Sequence, residues 1–243
     1  MSAASEPGDA SVRSRLAGLP MFSQLSVEQL DVVAAATRPT RLARGEVLFH
    51  AGQECQAFHC VVSGQVKLTV STSDGAERVV EIIGAGQTFG EAVVFTGRRY
   101  PVTATGLLPT VLLVVPSAVV LDLVAVDPMF ARRMLSGLAV RLHTMVDDLE
   151  AISLRTGAQR VAGLLVGLET DAPTSGTALR LPASKAVLAS RLNLTPETFS
   201  RTLRDLTTAR VIAVQGRLIT VLDLPALCAV ADVEEPDARG DRP

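Results

Sequence analysis

Apolar residues change their spacing twice along the chain. Over residues 26–36, Leu30, Val33 and Ala34 fall on one helical face. Ser26 suits the N-cap and Glu28 the first turn, so a short helix is predicted there. Between residues 41 and 116 the pattern becomes short β runs punctuated by Gly45, Gly52, Gly64, Gly75, Gly84, Gly86, Gly90 and Gly97. That rhythm is close to the roughly 8–12-residue spacing of a sandwich or barrel. Residues 58–62, 66–70, 79–83, 102–105 and 111–115 are the clearest strands, and Asp74-Gly75 marks a hairpin.

After Asp127-Pro128 the period is helical. Phe130, Met134, Leu138, Leu142, Met145, Leu149 and Ile152 recur every three or four residues. Such a stripe either packs on the β stretch or forms a coiled-coil seam with a second copy, and its place between two differently built halves favours the seam. Residues 153–168 read as another helix and 171–177 as a loop. Residues 185–191 and 196–208 read as helices around a turn at Leu192-Asn193-Leu194. A hairpin of 211–214 and 218–222 follows, around Gln215-Gly216-Arg217. Residues 1–20 read as a flexible N-terminus and 226–243 as an acidic tail.

Composition narrows the class. Hydrophobic residues make up 48% of the 243 and aromatic residues 3%, so the core is aliphatic and the chain is not a disordered one. A mean hydropathy of +0.34 raises the membrane question. The longest apolar runs, 111–115 and 118–126, fall far short of the roughly 20 residues that cross a bilayer. The N-terminus carries no apolar leader segment, and Cys55, Cys60 and Cys228 are too few for a disulfide framework. The expectation is a cytoplasmic protein with reduced thiols and no membrane partner.

The net charge of -2 averages unlike parts. Residues 152–221 carry nine basic and four acidic residues, whereas residues 222–243 carry two and six. A basic block in a near-neutral chain points to a polyanion. Within it, Thr195, Pro196 and Glu197 form a strong helix start. Phe199, Leu203 and Leu206 make one stripe of that helix; Glu197, Ser200, Arg201 and Arg204 make the opposite one. Arg bonds guanine bidentately and Glu accepts from cytosine N4, so this face suits the major groove of double-stranded DNA. Arg217, Lys185 and Arg191 are placed to meet phosphates, and Thr195 at the helix start joins the residues expected at the DNA. No nucleophile–base pair or metal triad stands out, which argues against an enzyme.

The segment LASRLNLTPETFSRTLRDL resembles the winged helix-turn-helix of the Crp/Fnr superfamily of bacterial transcription regulators. GEVLFHAGQ, FHCVVSGQVKL and FGEAVVF resemble that family's sensor domain. The likeness covers about residues 20–225. It implies an α+β fold: a cyclic-nucleotide-binding-type β jelly roll (21–126), a dimerisation helix (127–152) and a winged helix-turn-helix (153–225). It also implies a homodimer and RNA polymerase as a partner. Glu197, Ser200 and Arg201 occupy the family's E-x-x-S-R pattern, and Pro196 before Glu197 favours the Fnr-like version reading TTGAT-type half-sites. Arg210 departs from the family's usual Gly.

The resemblance implies an effector in the jelly roll, at Gly90, Glu91, Val93, Val94 and Phe95. Cyclic-AMP binders place Arg-Ser about ten residues after Gly-Glu; here that place reads Tyr100-Pro101-Val102, with Arg98 and Arg99 close by. Residues 1–54 hold no Cys, so the family's N-terminal iron–sulfur cluster is not expected. RLHTMVDDLEAISLRTGAQRVAGLL together with FGEAVVF is most similar to the nitric-oxide-responsive Dnr branch. That likeness implies haem, with His50, His59 and His143 as candidate ligands. Cyclic-nucleotide control, and regulation without a small-molecule effector, stay open as alternatives.

Overall fold

The computed structural model describes residues 9–19, 21–72, 75–168 and 176–233 and has the expected α+β architecture. The chain divides into two units, Met1–Thr144 and Met145–Pro243.

The first unit begins with α1 (Asp9–Ala17) and α2 (Val27–Ala36). Ser26 caps α2 as expected: its Oγ accepts from the Gln29 amide at 3.2 Å, and its own amide donates to Gln29 Oε1 at 2.9 Å. The strands follow as β1 (Arg38–Leu42), β2 (Val47–Phe49), β3 (Ala57–Ser63), β4 (Gln65–Ser71), β5 (Glu77–Gly84), β6 (Thr88–Phe89), β7 (Thr103–Gly106) and β8 (Thr110–Pro116). The short helix α3 (Glu91–Thr96) lies between β6 and β7. Two antiparallel sheets result, β1-β8-β3-β6 and β2-β7-β4-β5. Gly64 turns β3 into β4 at φ +87°, where a Cβ would collide with the Pro109 carbonyl oxygen. Asp74 of the expected hairpin lies outside the described residues, but β4 and β5 pair around it.

Strand alternation separates two apolar clusters. Val61, Phe49, Val66, Ile83, Phe89 and Leu112 fill the space between the sheets. Phe58, Cys60, Leu113 and Val115 face the other way, into a cluster completed by the helices. Val12, Leu16 and Leu19 are buried in that second cluster, which corrects the expectation of a flexible segment over 1–20 as far as residues 9–19 are concerned. Polar composition hid this helix; burial of Val12 and Leu16 within it and of Leu19 just after it contributes on the order of 5 kcal/mol toward ordering the segment.

α4 (Ser117–Val126) and α5 (Pro128–Leu154) meet at Asp127. Its Oδ1 accepts from the amides of Phe130 and Met129 at 3.0 and 2.9 Å, while Oδ2 accepts from Gln29 Nε2 at 3.2 Å. The amide of Phe130 is the chief cause that holds the Asp127 carboxyl below its usual range. Along α5 the apolar stripe changes role. Phe130 and Met134 are buried against the helical cluster, whereas Leu142, Met145 and Leu149 are 63%, 52% and 64% exposed.

In the second unit, α5 ends at Leu154 and α6 (Gly157–Gly167) begins after a break. The expected helix over 153–168 is therefore two pieces, because Thr156 caps α6 by accepting from the Gln159 amide at 3.3 Å. Next come β9 (Ala178–Arg180), α7 (Lys185–Arg191), α8 (Pro196–Thr208), β10 (Ile212–Gln215), β11 (Leu218–Val221) and α9 (Leu224–Ala231). The expected loop at 171–177 lies largely outside the described residues. β9 adds to the hairpin in the order β10-β11-β9. α9 buries Leu224, Leu227, Cys228 and Ala231 and packs on α6, so the tail expected from 226 begins at least six residues late. Residues 234–243 lie outside the described part.

Candidate functional site

α8 is anchored and presented by opposite faces. Phe199, Thr202, Leu203 and Leu206 are buried, while Glu197, Arg201 and Arg204 are exposed and Ser200 is half-buried between them. Thr195 caps the helix, its Oγ1 accepting from the Thr198 amide at 3.2 Å. Arg201 and Arg204 form no ion pair among the described residues, although Glu197 and Asp205 share their helix. A face with two guanidiniums unpaired among the described residues, a carboxylate and a hydroxyl can both donate and accept hydrogen bonds.

Two left-handed residues set the approach to this helix and the exit from it. Asn193 has φ +54° and Arg210 φ +59°. Asn193 closes α7: the Leu194 amide donates to Ala189 O at 2.9 Å and the Asn193 amide to Ser190 O at 3.1 Å. The same double closure ends α8, with Val211 N to Leu206 O and Arg210 N to Thr207 O, both 3.0 Å. The turn into the hairpin therefore forms with Arg at the position where glycine is less strained. Arg160 of α6 fastens the helix pair, donating to Leu192 O at 2.7 Å.

Lys185 is half-buried at the start of α7, Arg191 is half-buried at its end, and Arg217 is exposed at the hairpin tip. Arg217 is also tied down, its Nη2 donating to Leu181 O at 2.7 Å.

In the first unit the residues expected around an effector do not share one face. Gly90 turns at φ +96° into α3, and Glu91 is buried at its start. Val93 packs between the sheets, Val94 packs in the helical cluster, and Phe95 is 37% exposed. A six-residue helix distributes successive side chains around its axis, so an apolar pocket lined jointly by Val93, Val94 and Phe95 is not formed. Glu91 is engaged instead. It accepts a very short hydrogen bond from Thr88 Oγ1, and Arg141 Nη1 of α5 lies 3.7 Å away. Arg141 also donates to Glu81 at 2.5 Å and to Thr88 O at 2.8 Å. Sequence reasoning missed Arg141 and Glu81; a cation at the edge of an apolar helix stripe is their only signal, and solvated faces share it.

Where cyclic-nucleotide binders carry a cation, Tyr100 is buried. Its ring stacks on Phe49 with centroids 3.7 Å apart, and its hydroxyl donates to Ala57 O at 2.8 Å. Arg99 turns to Gly52 O at 2.8 Å and to Glu54 at 3.4 Å on the surface. Of the three histidines, His50 and His143 are exposed. His59 is buried, stacked on Phe89 at 4.9 Å, with no hydrogen-bond partner for Nδ1 among the described residues. Burial lowers its pKa to about 4, so the imidazole is neutral. Cys60 faces the other cluster, and burial, with Glu91 nearby, keeps its thiol protonated.

Comparison with known proteins agrees with this arrangement. Residues 39–127 match the cyclic nucleotide-binding domain family, and residues 159–230 match the Crp-like helix-turn-helix domain family. The chain is 24% identical over 217 residues to the fumarate and nitrate reduction regulatory protein of Vibrio cholerae, covering 88% of this chain and 86% of that one. A solved structure from Ruegeria pomeroyi, of a protein assigned as cyclic nucleotide binding, is 31% identical with a TM-score of 0.61, covering 93% of this chain and 99% of that one. FixK2 from Bradyrhizobium japonicum shares the fold at a TM-score of 0.72 and 22% identity, over 80% and 96% of the two chains. With both domains matched in order and a relative aligned along nearly its whole length, the chain belongs to the Crp/Fnr family of DNA-binding transcription regulators.

Proposed function

We propose that the protein is a homodimeric regulator reading a palindrome of TTGAT-type half-sites. The observation that carries this is the α8 face: exposed Glu197 and Arg201 with half-buried Ser200 on one stripe, the arginines free of carboxylate partners among the described residues. Arg201 is assigned to guanine, Glu197 to the opposite strand and Ser200 to thymine. The exposed Leu142, Met145 and Leu149 support pairing of α5 with a second copy. Two-fold symmetry then calls for half-sites about one DNA turn apart. RNA polymerase is the partner such a regulator engages, in the cytoplasm. A gel shift on a TTGAT–ATCAA duplex tests the reading: a discrete dimer complex is expected, and equal binding to a scrambled duplex contradicts it.

For the sensor we propose haem as the ligand through which nitric oxide acts. His59 supports this reading, because its imidazole is buried and neutral and its Nδ1 has no partner among the described residues, so it would be available to hold the iron. His50 and His143 are exposed and fit the role less well. When bound, the iron would supply the site for the gas. Phe49, Phe89 and Tyr100 surround His59 and must part to admit a porphyrin. Haem titration followed by visible absorption decides: a Soret shift lost in His59→Phe is expected, and no shift in the unaltered protein contradicts it.

A further inference from the structure

The third strand of the winged unit places a cation that neither the motif nor the charge count singled out. In β9, Leu179 pairs with Ile219 and Arg180 with Leu218. Leu179 and Ile219 are buried, and Arg180 and Leu218 are exposed. Alternation therefore sets Arg180 on the open face of the sheet, level with the residue that follows the hairpin tip.

Arg217, the tip cation, is committed to the fold. Its backbone carbonyl accepts from the Leu181 amide at 2.9 Å and its Nη2 donates to the Leu181 carbonyl at 2.7 Å. Both ends of Arg217 thus hold the tip against the end of β9. Arg180, one residue before Leu181, has neither a hydrogen-bonding side-chain partner nor an ion pair among the described residues. An exposed, unpaired guanidinium on a strand breaks no existing contact on meeting an anion, and the paired strand already fixes its backbone. The basic excess of the surrounding block makes that anion a polyanion.

We infer that Arg180 is the wing's contact to the DNA phosphate backbone, and that Arg217 is a positioning residue that pins the hairpin tip beside it. This rests on the DNA-reading function proposed above. A phosphate contact adds affinity without sequence information, and each one released from the dimer lowers the dependence of binding on salt by about 0.9 in the log–log slope.

The test measures affinity of the full-length protein for the TTGAT palindrome and for a scrambled duplex across a series of KCl concentrations. In Arg180→Ala the slope falls by about 2 per dimer on both duplexes, their affinity ratio stays constant and the melting temperature is unchanged. In Arg217→Ala, amide exchange at Leu181 and Leu218 accelerates. An Arg180→Ala protein with unaltered slope overturns the inference, as does one whose preference among half-site sequences changes. An Arg217→Ala protein with normal amide protection and a slope reduced by about 2 makes Arg217 the contact and overturns it equally. If the unaltered protein binds no duplex in a salt-dependent way, the DNA reading itself fails, and that result is distinct from the others.

Discussion

Arg141 on the long helix lies 3.7 Å from the carboxylate of Glu91 and donates to that of Glu81 at 2.5 Å. One guanidinium thereby joins α5 to β5, to the Thr88 carbonyl before α3 and to α3 itself. Arg141→Gln leaves Glu91, with a side chain only 9% exposed, and Glu81 both without their shared cation. The expected cost is on the order of 2 kcal/mol, read as a lower urea midpoint for the sensor unit. An unchanged midpoint makes the contact incidental.

The same contact bears on cyclic nucleotides. Glu91 is already bonded, and Tyr100, which by resemblance stands near the position of the cation in cyclic-nucleotide binders, is bonded to Ala57 O. A nucleotide at 100 times its Kd would add about 2.7 kcal/mol and raise the melting temperature by several degrees. Cyclic AMP and cyclic GMP at millimolar concentration are expected to leave it where it is. A clear rise with either shows that the network opens for the ligand.

His59 makes stability depend on pH. Its folded pKa is depressed from 6.5 to about 4 by burial. Between those values the unfolded chain binds the extra proton, so stability falls as pH falls through that window and is constant above it. The loss reaches on the order of 3 kcal/mol at the acid end. Phe in its place keeps the ring stacking and removes the titration. Urea midpoints of His59→Phe and the unaltered protein should diverge below pH 6.5; parallel curves would show that His59 stays accessible to protons.

Arg210 spends backbone energy at φ +59°. A left-handed non-glycine residue costs roughly 1–2 kcal/mol, part of which a glycine gives back as unfolded-state freedom. Arg210→Gly is therefore expected to stabilise the second unit by about 0.5–1 kcal/mol with DNA affinity unaltered. Thermal unfolding checks it, and a lower melting temperature means that the guanidinium holds something in place.

The sequence is most legible where local chemistry decides the structure. Thr195-Pro196 and Ser26 start their helices where capping rules put them, and the β stretch follows its glycines. Elements decided by burial are hidden. α1 reads as a polar leader until Val12 and Leu16 meet the helical cluster, and the valine-rich α4 has no polar face to show its period. β9 is only three residues long and is fixed by its partner β11. The polar face of α8 is legible because one helix carries it. The Arg141–Glu81–Glu91 network was not, because it joins residues up to sixty positions apart.

The most direct test of the DNA reading is base discrimination by Arg201. Affinity is measured for the TTGAT palindrome and for a duplex with its guanines replaced, using the unaltered protein and Arg201→Ala. The unaltered protein should prefer the first duplex, and Arg201→Ala should lose on the order of 1–3 kcal/mol of that preference at each half-site. An Arg201→Ala protein with full affinity and full preference for the guanine-bearing duplex would contradict the assignment of α8 to the major groove.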